Sequence, residues 1–312
     1  MDIALVVGTA CPALGRAVAD ALGVTPASCS VRPFPDGELE VELRSSVRGA
    51  NAYVVQSTCA PVGERLLELL LLCDACWRAG ARAVSAVVPY FGYARQDRRQ
   101  REGQPLGARV VAEALGTGRL TRMLAVDLHS RAIEGSFAAP LEHLTAVSLL
   151  TEAVRPRVRP ESILIAPDLG AVKLAEAFGT RLGLSMAVVH KSRLSGSEVA
   201  VRAVIGDVRG RSPIVVDDMI STGGTVVAAV RALREAGSGP EVTVVASHGL
   251  LVGEALPRLA EIGVRMLVTT DSVPPPAQVP FSHQVVSLAP LLADAIRRLE
   301  EHRPLAELLA SR

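Results

Sequence analysis

The chain has 312 residues, of which 49% are hydrophobic and 21% charged, with a mean hydropathy of +0.32. That length predicts two domains, and that composition supplies buried α/β cores and excludes a disordered chain. A net charge of +1 leaves no global attraction for nucleic acid or membrane surfaces, and no apolar run reaches the ~20 residues that span a bilayer.

The opening segment Met1–Val7 reads as a first strand and lacks the basic start of a signal peptide. Further β-rich runs follow at Ala52–Gln56, Ala83–Pro89, Met123–Asp127, Ser162–Ala166, Ser185–Val189, Pro213–Asp217, Val242–Ser247 and Met266–Thr270. Helical patterns lie between many of them, at Gly15–Leu22, Glu64–Ala79, Ala108–Ala114, Val172–Leu182 and Val226–Ala236, with a last helix over Leu288–Glu301. This alternation predicts an α/β fold with mostly parallel sheet covered on both faces, in which ligands sit at the carboxyl ends of strands. A weak internal repeat is visible: a helix ending Ala79-Gly80 leads into one strand, and a helix ending Ala236-Gly237 leads into another. The Pro- and Arg-rich stretch Val154–Pro160 marks the expected boundary, giving domains over 1–150 and 151–312, with the final helix packing back on the first.

The five cysteines are Cys11, Cys29, Cys59, Cys73 and Cys76, an odd number that suits free thiols in a cytoplasmic protein better than a disulfide framework. Cys73 and Cys76 form a CxxC within a helical pattern and lack a second ligand pair, so they read as packing residues. Only Lys173 and Lys191 are lysines; the other basic residues are arginine.

The most informative stretch is Ile214–Thr225. A β-branched run ends in Asp217 and Asp218, and Ser221, Thr222, Gly223, Gly224 and Thr225 lead into a helix. Glycines let the backbone approach a ligand, and successive N–H groups at a helix start form an anion site. Carboxylates beside such a cradle repel phosphate, so their task is to hydrogen bond sugar hydroxyls, and the segment reads as a ribose-phosphate site. Pro89–Arg99 follows a strand and sets Arg95, Gln96 and further arginines beside aromatics; on charge alone it is a solvated basic loop. Phe34-Pro35-Asp36-Gly37-Glu38 alone is a turn with one aromatic and two carboxylates. No GxxxxGK[ST] and no GxGxxG is present, so neither a P-loop nor a Rossmann cofactor site competes.

Taken together, Phe34–Glu38, Gln56-Ser57-Thr58, Pro89–Arg98, Asp127-Leu128-His129, Pro167-Asp168, Lys191-Ser192-Arg193 and Asp217–Thr225 resemble, in order and spacing, the ribose-phosphate diphosphokinases over nearly the whole chain. The resemblance implies two tandem type I phosphoribosyltransferase-like domains, each a mostly parallel sheet flanked by helices. It also implies Mg²⁺ dependence and a homo-oligomer built from dimers, up to a hexamer, with the ATP site shared between subunits. Carried onto this sequence, it implies that Phe34 stacks on adenine while Asp36 and Glu38 read its polar edge. Arg95 and Gln96 contact the nucleotide, and His129 and Asp168 sit around Mg²⁺. Lys191 and Arg193 are catalytic cations on a loop that closes over the donor. Asp217, Asp218 and Ser221 to Thr225 hold ribose 5-phosphate. Ser221 stands where many relatives carry Asp, and Leu169-Gly170-Ala171 is a less polar continuation than theirs.

Two other classes compete. A base-salvage phosphoribosyltransferase leaves the first ~150 residues without a task, more than a typical single domain. A non-catalytic regulatory homologue is expected to have lost the Lys191 or the Asp217 loop, and this chain keeps both. Ser46 and Arg48 match the family's allosteric phosphate site, but Gly80 and Gly103 stand where a serine and an arginine align, so phosphate activation and ADP inhibition are expected to be weak or absent.

Overall fold

Short β-branched runs closed by Gly, Pro or Asp recur along the chain, and most become strands with both faces covered. The computed structural model describes residues 2–193 and 199–310. The first half runs β1 (Ile3–Val7), α1 (Pro12–Leu22), β2 (Cys29–Pro33), β3 (Leu39–Leu43), β4 (Asn51–Val55), α2 (Val62–Arg78), β5 (Ala83–Val88), α3 (Gly107–Thr117), β6 (Arg122–Val126), β7 (Leu141–Leu144) and α4 (Val147–Val154). The second runs β8 (Ser162–Ala166), α5 (Val172–Leu182), β9 (Met186–Arg193), β10 (Val199–Ile205), β11 (Ser212–Ile220), α6 (Gly224–Glu235), β12 (Val242–Gly249), α7 (Ala255–Glu261), β13 (Val264–Thr270), β14 (Ser282–Val286) and α8 (Ala289–Glu300).

The first sheet is parallel throughout, in the order β1-β4-β5-β6-β7. The second has seven strands, β10-β9-β8-β11-β12-β13-β14, with only β10 antiparallel. The strands β2 and β3 form a separate antiparallel hairpin. Set side by side, β1-β4-β5-β6-β7 and β8-β11-β12-β13-β14 share one connectivity, so the chain is a duplicated α/β unit. The repeat glycines agree: Gly80 and Gly237 close α2 and α6 with φ of +87° and +86°, a left-handed geometry that costs glycine little.

Each half lends its last helix to the other. α8 packs on α1, and α4 packs on α5 and on β12, β13 and β14. The expected boundary at residue 150 therefore falls inside a continuous helix that belongs spatially to the second sheet. The exchange is symmetric in detail. Arg297 donates to the carbonyl of Ala21 near the end of α1 (2.8 Å), and Arg155 donates to that of Arg181 near the end of α5 (3.2 Å). Glu300 adds bonds from Asn51 Nδ2 (2.8 and 3.0 Å) and Tyr53 Oη (2.8 Å).

Apolar packing runs through this seam. One continuous core joins Leu14, Val126 and Leu150 of the first half to Leu164, Val216, Leu292 and Ile296 of the second. Truncating a fully buried Leu292 or Ile296 to Ala would cost about 2–5 kcal/mol. Separate cores fill the outer side of each sheet. Cys73 and Cys76 are buried in the first of these, and all five cysteines are free thiols. No helix among the described residues is long and apolar enough to cross a membrane.

Candidate active site

The carboxyl ends of the two sheets meet at a cleft of about 680 Å³. From the second half, β11 delivers Asp217 and Asp218 to it, and Ser221, Thr222 and Gly223 carry the chain into α6. Gly223 is the cap residue, with φ +76°, and no side chain caps this helix start. The first turn of this helix thus opens onto the cleft, beside the hydroxyls of Ser221 and Thr222. The helix begins at Gly224, two residues before the apolar pattern does, because Gly223 already turns the backbone.

The first half contributes His129, on the turn after β6, and Arg95, from the loop after β5. His129 Nδ1 lies 2.7 Å from Asp218 Oδ2, a contact that bridges the two halves at the cleft. That hydrogen bond raises the basicity of His129 above its ordinary value. Burial opposes ionisation of Asp218, but the hydrogen bond and charge of His129 hold its carboxyl below the usual range. Asp217 goes the other way: burial first, then the charge of Asp218, push it well above the carboxylate range. The pair is thus driven apart, burial disfavouring a charge on Asp217 while His129 favours one on Asp218. Asp217 Oδ1 also accepts the backbone N–H of Asp218 at 2.9 Å, which fixes its orientation.

Asp168 opens a single 3-10 turn after β8, its Oδ1 accepting the N–H of Gly170 at 2.9 Å. Among the described residues no three His, Cys, Asp or Glu side chains close on one metal position. A Mg²⁺ site does not need three, because that ion takes one or two carboxylates and fills its octahedron with water and substrate phosphates.

Of the expected site residues, the cleft brings together Asp217, Asp218, Ser221, Thr222, Gly223, Gly224, Thr225, His129, Asp168 and Arg95. Phe34, Asp36 and Glu38 do not line it. They sit in the turn joining β2 to β3, where Phe34 N–H donates to the carbonyl of Glu38 (2.7 Å) and Phe34 is 46% exposed. Gln96 is likewise outside the cleft, its side chain lying against Gly107 at the start of α3. Lys191 and Arg193 fall on β9, opposite Val201 and Val199 of β10. Their side chains, like residues 194–198, lie outside the described part of the structure. The cleft also holds Arg98, Asp127 and Lys173, to which the sequence reading gave no role. For Lys173 a signal existed: it is one of two lysines in an arginine-rich chain, five residues after Asp168.

A duplicated parallel α/β unit with an uncapped helix start, two carboxylates and cationic groups in one cleft defines a transferase acting on phosphorylated sugars. Residues 3–118 match the N-terminal domain of ribose phosphate pyrophosphokinase, and residues 194–310 match the phosphoribosyl synthetase-associated domain. A ribose-phosphate pyrophosphokinase of Caldanaerobacter subterraneus subsp. tengcongensis is 38% identical over 96% of this chain and 96% of its own length. One from Streptomyces avermitilis is 40% identical over 94% of this chain and 92% of its own. The crystal structure of phosphoribosylpyrophosphate synthetase from Mycobacterium smegmatis superposes with a TM-score of 0.89 at 38% identity, covering 97% of this chain and all of that one. The chain belongs to the ribose-phosphate pyrophosphokinase family, also called ribose-phosphate diphosphokinases.

Proposed function

We propose that the chain carries out its family's reaction, transferring the diphosphoryl group of ATP to the anomeric hydroxyl of ribose 5-phosphate. The products are 5-phosphoribosyl 1-diphosphate and AMP. One observation carries the reading: a single cleft joins an uncapped helix start and two carboxylates from one half to His129 and Arg95 from the other.

The anomeric oxygen attacks the β-phosphorus, and the bond from that phosphorus to the oxygen bridging to the α-phosphate breaks as AMP leaves. Backbone N–H groups of Ser221 to Thr225 and their hydroxyls hold the 5-phosphate. Asp218, favoured in its charged form by His129, accepts from one ribose hydroxyl, and Asp217 hydrogen bonds the neighbouring one. Such transfers demand in-line placement and charge neutralisation more than covalent chemistry. Arg95, Lys191 and Arg193 supply fixed positive charge for the polyphosphate. Asp168 and His129, which line the same cleft, would hold Mg²⁺ with substrate phosphates, and when bound it would withdraw charge from the transferred group.

Phe34, Asp36, Glu38 and Gln96 stand outside this chain's cleft, which supports their reaching the adenine of a neighbouring copy in a homo-oligomer built from dimers. Five free thiols support a reducing, cytoplasmic setting. A Cβ on Gly80 would lie 3.1 Å from Arg48 Nη1, so this chain offers that arginine no neighbouring hydroxyl there, which supports weak or absent phosphate activation. The deciding experiment incubates the protein with ribose 5-phosphate, Mg²⁺ and ATP and follows phosphorus NMR. AMP and a new diphosphate ester are expected. No ATP turnover would leave a regulatory homologue, and consumption of phosphoribosyl diphosphate with a free base would reveal a salvage enzyme.

A further inference from the structure

Two buried histidines grip the turn that presents His129, one from each half. His248, 2% exposed, lies on β12 next to Met219 of β11. Its Nε2 is 3.1 Å from the carbonyl oxygen of Val126 and 3.2 Å from that of Asp127. Carbonyls only accept, so Nε2 carries the proton and donates to both. Nδ1 is 2.8 Å from Ser272 Oγ, and the ring of Tyr90 packs edge-on with centroids 5.0 Å apart. Burial disfavours a charged ring, so Nδ1 accepts from the Ser272 hydroxyl. His143 approaches from the first half with the opposite tautomer. The N–H of Leu128 donates to its Nε2 at 2.8 Å, so its proton sits on Nδ1 and goes to Glu134 Oε1, also at 2.8 Å.

Between these two rings Asp127 takes φ +38°, a left-handed conformation that costs a non-glycine residue roughly 1–2 kcal/mol. Its carboxylate accepts the N–H of Ala146 at 3.0 Å and the hydroxyl of Ser247. Such a backbone persists only where its surroundings over-determine it. Here they do, through three successive residues and both halves of the chain.

We propose that His248 and His143 are positioning residues for the transfer reaction: with fixed and opposite tautomers they clamp the Asp127 turn and so hold His129 against Asp218. The inference rests on the placement of His129 and Asp218 at the reacting end of the cleft. His143 borders that cleft and His248 does not, so His248 acts through the turn alone and not on substrate. Misplacing a reacting group by ~1 Å costs about 10²-fold in rate, which sets the expected scale.

The test uses the full chain. Steady-state kinetics of His248→Leu should show kcat lowered by about 10–100-fold with KM for ribose 5-phosphate within about threefold, because Asp217 and the Ser221 loop are untouched. His248→Gln, which keeps an N–H donor, should restore most of the loss. Nitrogen-15 NMR of the wild-type histidines should show His248 as the Nε2–H tautomer and His143 as the Nδ1–H tautomer. Reversed or mixed tautomers at either ring would overturn the clamp, as would a His248→Leu protein with wild-type kcat. Should that variant fail to fold, Ser247→Ala provides the kinetic arm, with kcat expected to fall and KM to hold. A His129→Ala control separates the two levels. Unchanged turnover there sinks the cleft assignment itself, whereas its loss without any effect of His248→Leu sinks only the clamp.

Discussion

The two halves carry equivalent loops after equivalent strands, and they have put them to opposite uses. After β4, Gln56, Ser57 and Thr58 are wholly buried and satisfied from within. Gln56 Oε1 accepts the N–H of Ala10 (3.0 Å), Ser57 Oγ donates to the carbonyl of Ser272, and Thr58 Oγ1 accepts the N–H of Gly92 (2.6 Å). After β11, Asp217, Asp218, Ser221 and Thr222 face an open cleft. The β2–β3 and β9–β10 hairpins diverge as well, one bearing Phe34, Asp36 and Glu38 and the other Lys191 and Arg193. Duplication supplied two strand-turn-helix junctions. One became the joint between the halves, which leaves the other free to meet a ligand.

That division can be broken experimentally. The largest effect is expected at the second hairpin: Lys191→Ala and Arg193→Ala should each lower kcat by about 10²–10³, while calorimetry finds ribose 5-phosphate affinity almost intact. Near-normal turnover in either variant would remove that hairpin from the chemistry. Next comes the open loop. Asp217→Asn with Asp218→Asn should weaken ribose 5-phosphate about 100-fold and spare ATP, because two hydrogen bonds to charged groups, worth roughly 1.5–3 kcal/mol each, become neutral ones of about 0.5–1.5 kcal/mol. At the first hairpin, Phe34→Ala should weaken ATP about tenfold, in line with the ~1–3 kcal/mol of base stacking, and leave the sugar phosphate alone. Titrations in which either change weakened both ligands equally would dissolve the distinction. The smallest effect belongs to the closed loop. Ser57→Ala should cost about 1 kcal/mol, a few degrees in Tm, with both KM values unchanged.

Most inner strands were legible because they are apolar runs closed by Asp, Pro or Gly, as in β6 before Asp127 and β8 before Pro167. Strands with other patterns escaped: β14 is Ser-His-Gln-Val-Val at a sheet edge, and β2 and β3 bury only one face of a hairpin. α4 was hidden because it runs straight into the Arg- and Pro-rich stretch that looked like a linker. The Asp217 segment could be read in one dimension because its chemistry is local, with carboxylates, hydroxyls and glycines within nine residues. His248, Ser247 and Ser272 could not, since Asp127 and Ser57 lie more than a hundred positions away along the chain. A histidine in an apolar strand looks the same whether or not it grips the far half.

The helix exchange also dictates an order of events during synthesis. α1 emerges from the ribosome more than 250 residues ahead of α8, the helix that covers it, which is encoded by residues 289–300. At roughly 5–20 residues per second the wait is on the order of tens of seconds. Throughout it, the face of α1 that will receive α8 has no native cover, and the first half cannot complete its own packing before the second has been made. A truncated chain ending before α8 is therefore expected to be sticky and chaperone-dependent, although every residue of its first sheet is present.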